Sequence, residues 1–80
     1  MEIEFKNRDR FVELGLAIGI KRKLQGMTQE MLAEKVNISR SYLCAIESPN
    51  TLRSFSLELL FNLADALNTS ASDLSKESIF

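Results

Sequence analysis

Residues 28–47 read TQEMLAEKVNISRSYLCAIE, and the fold is decided here. Thr28 is a natural N-cap, and Met27 before it stands where a hydrophobic staple would meet Leu32 at the fourth helical position. The same grammar returns with Ser39 as cap, Ile38 before it and Leu43 at the fourth position, so a second helix should begin at Arg40. Between two starts so close together there is room for one short helix and a sharp corner. Asn37 is the residue for that corner, because after glycine asparagine most readily adopts the left-handed backbone conformation.

Outward from this stretch, Asn7 or Asp9 can cap a first helix that runs to about Gln25 and stops at Gly26. On a helical wheel Phe11, Leu14 and Ile18 share a stripe, with Gly15 beside them, and Arg22 falls on the same line. A guanidinium facing a core is costly unless paired, so the wheel alone asks for a buried carboxylate partner. Leu16, Ile20 and Leu24 form a second stripe on roughly the opposite face, which the N-terminal arm, the C-terminus or another subunit would cover. Residues 1–6, MEIEFK, alternate apolar and charged, as in a short strand or an arm tucking Ile3 and Phe5 into a groove; the arm is preferred.

Helix two, Gln29 to about Lys35, buries Leu32 and Val36, and Ala33 lets a neighbour approach closely. Helix three turns Leu43 and Ile46 inward, with Glu47 next to them and Tyr42 on the other flank, which leaves Arg40, Ser41, Cys44 and Ala45 outside. Pro49 ends it in the loop SPNTLRSF. Ser56 caps helix four, whose apolar arc exceeds what one core contact requires: only Glu58, Asn62 and Asp65 form a polar wedge. That helix is either central to its own domain or shared between subunits. Asn68 offers another left-handed stop, and Ser70 with Asp73 reads as a capping box for a short fifth helix.

Composition narrows the function. Eighty residues make one small domain, 1–80, and few glycines with one proline suit an all-α globule. No apolar run is long enough to span a membrane and the acidic N-terminus is no signal peptide, so a cytoplasmic protein is expected. One cysteine and no histidine exclude an internal disulfide and a tetrahedral zinc site and leave no nucleophile and base pair, so neither an enzyme nor a metal or cofactor is expected. The net charge of -1 is modest, yet Lys21, Arg22, Lys23, Lys35, Arg40 and Arg53 outnumber the acids between residues 21 and 53, and the tail after residue 53 is acidic.

Thr28, Gln29, Leu32, Ala33, Val36, Ile38, Ser39, Leu43, Ile46 and Glu47, followed by SLELLFNLADALNTSASDL, resemble the Cro and phage-repressor helix-turn-helix family, often called the XRE family. The likeness covers about Ile18 to Leu74. Small stand-alone members include restriction-modification controller proteins, phage and plasmid repressors, and antitoxins. The resemblance implies a five-helix, lambda-repressor-like domain with its helix-turn-helix at 28–47, helix three entering the major groove and helix two crossing the backbone. It implies a salt bridge between Arg22 and Glu47, a phosphate contact at Gln29, and base contacts at Arg40, Ser41, Cys44 and Ala45.

Arg40 is the strongest base reader, since its guanidinium donors fit the O6 and N7 acceptors of guanine; a phosphate contact is the plainer alternative. Ser41 can address a base edge or a phosphate. Cys44 and Ala45 suit a thymine methyl, although Cys44 reads equally as a tolerated small residue, and a redox-sensing thiol is its sharper alternative. Tyr42, Asn50, Thr51 and Arg53 are candidate phosphate contacts, with ordinary surface solvation the competing reading.

The family pattern is broken at three places: Asn37 stands for the commoner glycine, the 48–55 loop with Pro49 is about two residues longer than the compact version, and Leu16, Ile20 and Leu24 occupy positions that many members keep polar. The expected function is a sequence-specific regulator binding double-stranded DNA as a homodimer on a near-palindrome. Its interface is expected to use Leu59, Phe61 and Leu63 of helix four with Ile79 and Phe80 of the tail. The alternative is an antitoxin-like module that also binds a partner protein.

Overall fold

The computed structural model describes residues 8–50 and 54–76. Among these residues the chain forms five helices: α1 (Arg8–Leu24), α2 (Gln29–Lys35), α3 (Arg40–Glu47), α4 (Leu57–Ala66) and α5 (Ala71–Lys76). The N-terminal arm lies outside the described residues.

The starts of α2 to α5 follow from caps. Thr28, Ser39 and Ser56 are extended, and their hydroxyls accept from the backbone N–H of Met31, Tyr42 and Leu59. Ser70 accepts from the N–H of Asp73 in the same way ahead of α5. The stops of α1, α2 and α4 share one geometry as well. Gly26, Asn37 and Asn68 sit at φ +71°, +59° and +54°, and the residue after each donates its N–H back to the carbonyl five residues earlier: Met27 to Arg22, Ile38 to Ala33, Thr69 to Ala64. These are Schellman closures, and they satisfy carbonyls that a helix end leaves open.

The core is assembled from all five helices or the residues that end them. Ile18, Leu32, Leu43, Leu63, Leu67 and Leu74 are fully buried, and Ala17, Ala33, Ile46, Phe55, Leu59 and Ala64 complete the cluster. Phe55, just before α4, packs edge-on against Phe11 of α1, with ring centroids 5.5 Å apart.

The wide arc of α4 is divided. Leu59, Leu63 and Ala64 point into the chain's own core, whereas Leu57 and Phe61, one turn apart, are 64% and 51% exposed. This corrects the expected interface: Leu63 is fully buried and Leu59 nearly so within one chain, so neither side chain has surface left for a partner. Phe61 does. Ile79 and Phe80 lie outside the described residues. The second stripe of α1 is also outward, with Leu16 37%, Ile20 56% and Leu24 76% exposed, while α1 itself packs against both α3 and α5.

Candidate nucleic-acid interface

The position of α3 is set where it crosses α1. Gly15 faces the backbone of α3 so closely that a Cβ there would collide with the carbonyl oxygen of Ile46. One turn on, a Cβ at Gly19 would stand 3.1 Å from a Glu47 carboxylate oxygen. The two glycines form a small-residue seam, and α3 lies in it.

Beyond the seam Arg22 holds the end of α3. Its Nε and Nη2 donate to the two carboxylate oxygens of Glu47 at 2.8 Å each, and its Nη1 donates to the carbonyl of Met27 at 2.8 Å. Both side chains are 8% exposed. The hydrogen bond to Glu47 raises the Arg22 pKa above its ordinary value even though burial acts to lower it. Gln29 joins the group: its Nε2 donates to Oε1 of Glu47 at 3.1 Å, tying the first residue of α2 to the last of α3. Three helices therefore converge on one carboxylate.

With Leu43 and Ile46 turned inward, α3 offers the other face to solvent. Arg40, Ser41 and Cys44 are exposed and Ala45 is half-buried beside them. All four fall on one side of the helix. Tyr42 is half-buried, and its hydroxyl donates to the carbonyl of Ser54 at 3.4 Å, which fastens α3 to the segment leading into α4. Asn50 is exposed, with its backbone N–H donated to the Ser48 hydroxyl at 3.2 Å. Thr51 and Arg53 lie outside the described residues.

A helix-turn-helix family model, HTH_3, matches residues 18–74. The chain belongs to the Cro/C1-type helix-turn-helix family. Members of the family are DNA-binding regulators, and its shared stretch runs from the middle of α1 into α5. Two structures of the clp gene regulator ClgR from Corynebacterium glutamicum are similar, each at 33% identity. One has a TM-score of 0.77 and covers 82% of this chain and 82% of that chain; the other has a TM-score of 0.74 and covers 79% and 65%. The chain thus spans just under two thirds of the latter. The restriction-modification controller protein C.AhdI from Aeromonas hydrophila is similar at 30% identity, with a TM-score of 0.75, over 82% of this chain and 97% of that one. No curated protein sequence matches.

Several contacts around this surface have no counterpart in the wheel reading. Gly19 is the second glycine of the seam, and its spacing of four from Gly15 is the signal for it. The side-chain amide of Gln25 donates to the carbonyl of Leu67 and so ties the end of α1 to the end of α4. Glu13 is 8% exposed although it shares a wheel sector with Leu16 and Ile20. Finally, Glu30 of α2 approaches Arg40 of α3, with Oε1 and Nε 3.9 Å apart. Among the described residues no helix is long and apolar enough to cross a membrane.

Proposed function

We propose that the chain is a sequence-specific regulator that binds double-stranded DNA as a homodimer, with α3 in the major groove of each half-site. The observation that carries this reading is the exposed face of α3: a guanidinium, a hydroxyl and two small side chains stand together on a helix whose other side is locked into the core. Such a face fits the width of a major groove, and a long cation in its first turn can reach base edges. Arg40 reads a guanine through O6 and N7, Ser41 a neighbouring base or phosphate, and Cys44 with Ala45 the methyl of a thymine.

Gln29, Asn50, Thr51 and Arg53 position the helix on phosphates. Gln29 keeps its carbonyl oxygen and a second amide hydrogen while donating to Glu47, so phosphate binding there does not break the group that holds α3. At Tyr42 a phosphate contact would replace the hydrogen bond to Ser54.

A dimer is supported by two features. The charge of one module is modest, which limits what a single copy can hold at physiological salt. Apolar surface also remains on the chain: Leu57 and Phe61 on α4 replace Leu59 and Leu63 as the residues free to meet a second copy, with Ile79 and Phe80 following in sequence. Two copies related by a two-fold axis place their recognition helices about one turn of DNA apart, roughly 34 Å. The operator is then a near-palindrome with a guanine in each half.

Selection of binding sites from random duplexes tests this directly. An inverted repeat with half-sites about 10 base pairs apart, centre to centre, is the expected result, and a single asymmetric site would overturn the dimer. A second reading, a module that also neutralises a partner protein, draws on the exposed Leu16, Ile20 and Leu24 of α1. A strictly homodimeric species in cell extract counts against it.

A further inference from the structure

We propose that Glu30 sets the sequence discrimination of Arg40. The inference rests on the reading of Arg40 as a base contact and deepens it. Glu30 is in the first turn of α2 and Arg40 opens α3, and their long side chains approach each other across the helix-turn-helix. Glu30 Oε1 lies 3.9 Å from Arg40 Nε, with the side chains 80% and 62% exposed. An ion pair so open to water contributes little to folding. Its value lies in what it does to the guanidinium when a duplex arrives.

Two consequences follow from the geometry. The carboxylate approaches Nε, the inner nitrogen, while the O6 and N7 acceptors of a guanine can be met by the two terminal nitrogens, so the ion pair and the base contact draw on different donors. A free arginine in the first turn can instead swing to the nearest phosphate, a contact available on every sequence. Glu30 opposes that swing by holding the guanidinium and by repelling phosphate oxygens. Docking excludes water and lowers the local dielectric, so both effects grow in the complex. Glu30 thus weakens binding to arbitrary DNA more than binding to the operator.

The test is a titration of four proteins, the parent, Glu30→Gln, Arg40→Ala and the double variant, against the selected operator and a random duplex of equal length. It is run over a series of salt concentrations, with circular dichroism confirming the helical fold of each. Glu30→Gln keeps the side-chain shape and removes the charge. The account expects tighter binding to random DNA, a log K against log salt slope steeper by about one phosphate equivalent, and a five- to tenfold fall in the operator-to-random ratio. In the Arg40→Ala background the same substitution should leave that ratio unchanged, because Glu30 acts through Arg40. If Arg40→Ala collapses the ratio and Glu30→Gln does not, Glu30 is an ordinary surface acid and the inference fails alone. If Arg40→Ala leaves the ratio intact, the base-reading role fails and this inference with it.

Discussion

Arg22 and Glu47 meet edge to edge where α1 crosses the end of α3, two nitrogens on two oxygens at 2.8 Å, both side chains almost wholly buried. The guanidinium is saturated further by the carbonyl of Met27, and the carboxylate by Gln29. A buried charge in this position is tolerable only while its partner stays. Removing either should therefore cost more than a surface pair would: Arg22→Ala and Glu47→Ala are each expected to lower unfolding stability by about 3 kcal/mol in urea titrations. Arg22→Lys should recover only part of that, because an ammonium cannot bridge both oxygens as a fork does. The folded pKa of Arg22 is raised. On the alkaline side its contribution is thus retained up to the ordinary guanidinium value and is lost as pH rises through the higher folded one. Stability equal to the parent in either alanine variant would contradict the pair.

The seam beneath that pair can be tested at its two glycines. Gly15→Ala drives a methyl into the backbone carbonyl of Ile46, which has no rotamer to escape into, and a loss of about 3 kcal/mol is expected. Gly19→Ala meets the side-chain carboxylate of Glu47 at 3.1 Å, and it gains roughly 1 kcal/mol of helix propensity in return. Thermal unfolding should rank Gly15→Ala clearly below Gly19→Ala. Equal melting temperatures would mean that α3 is not seated against Gly15.

The corner of the helix-turn-helix makes a different prediction. Asn37 sits at φ +59° with its neighbours closing the Schellman hydrogen bonds. Asn37→Gly should be neutral to within about 0.5 kcal/mol, whereas Asn37→Ala should cost roughly 1 kcal/mol, because alanine keeps the Cβ but lacks the short polar side chain whose local hydrogen bonding lets asparagine adopt the left-handed region. Chemical denaturation distinguishes them. An alanine variant as stable as the parent would rule out the left-handed corner.

On α4 the fold and the assembly separate by one turn. Leu63→Ala empties a fully buried site and should destabilise the domain by about 3 kcal/mol, while Phe61→Ala, at a half-exposed site, should leave folding nearly unchanged and weaken self-association. Sedimentation equilibrium alongside denaturation reads both. A Phe61→Ala protein that self-associates as the parent does would remove α4 from the proposed interface.

What could be read without coordinates was whatever rests on neighbours in the chain. Thr28, Ser39 and Ser56 announce their helices because a cap needs only its own hydroxyl and the amides that follow, and Gly26, Asn37 and Asn68 announce the stops because one dihedral decides them. Arg22 announced a buried carboxylate because a stripe of a wheel is a local property too. The facing of α4 was harder. Its apolar arc is so wide that Leu59 and Leu63 looked as available as Phe61, and only the packing of the other helices shows that the outward pair is Leu57 and Phe61, at the edge of the arc beside the polar wedge. The approach of Glu30 to Arg40 was hidden for a related reason. It joins two helices across a corner, and no period within either helix encodes it.

The central claim is that Arg40 reads a base, and the ratio of operator to random-duplex affinity at fixed salt tests it most directly. For the parent protein that ratio should be large, and for Arg40→Ala it should fall by one to two orders of magnitude, the worth of about 1–3 kcal/mol from a bidentate contact to guanine. A substitution that weakens both duplexes equally, and so leaves the ratio where it was, would make Arg40 a phosphate contact and contradict the account.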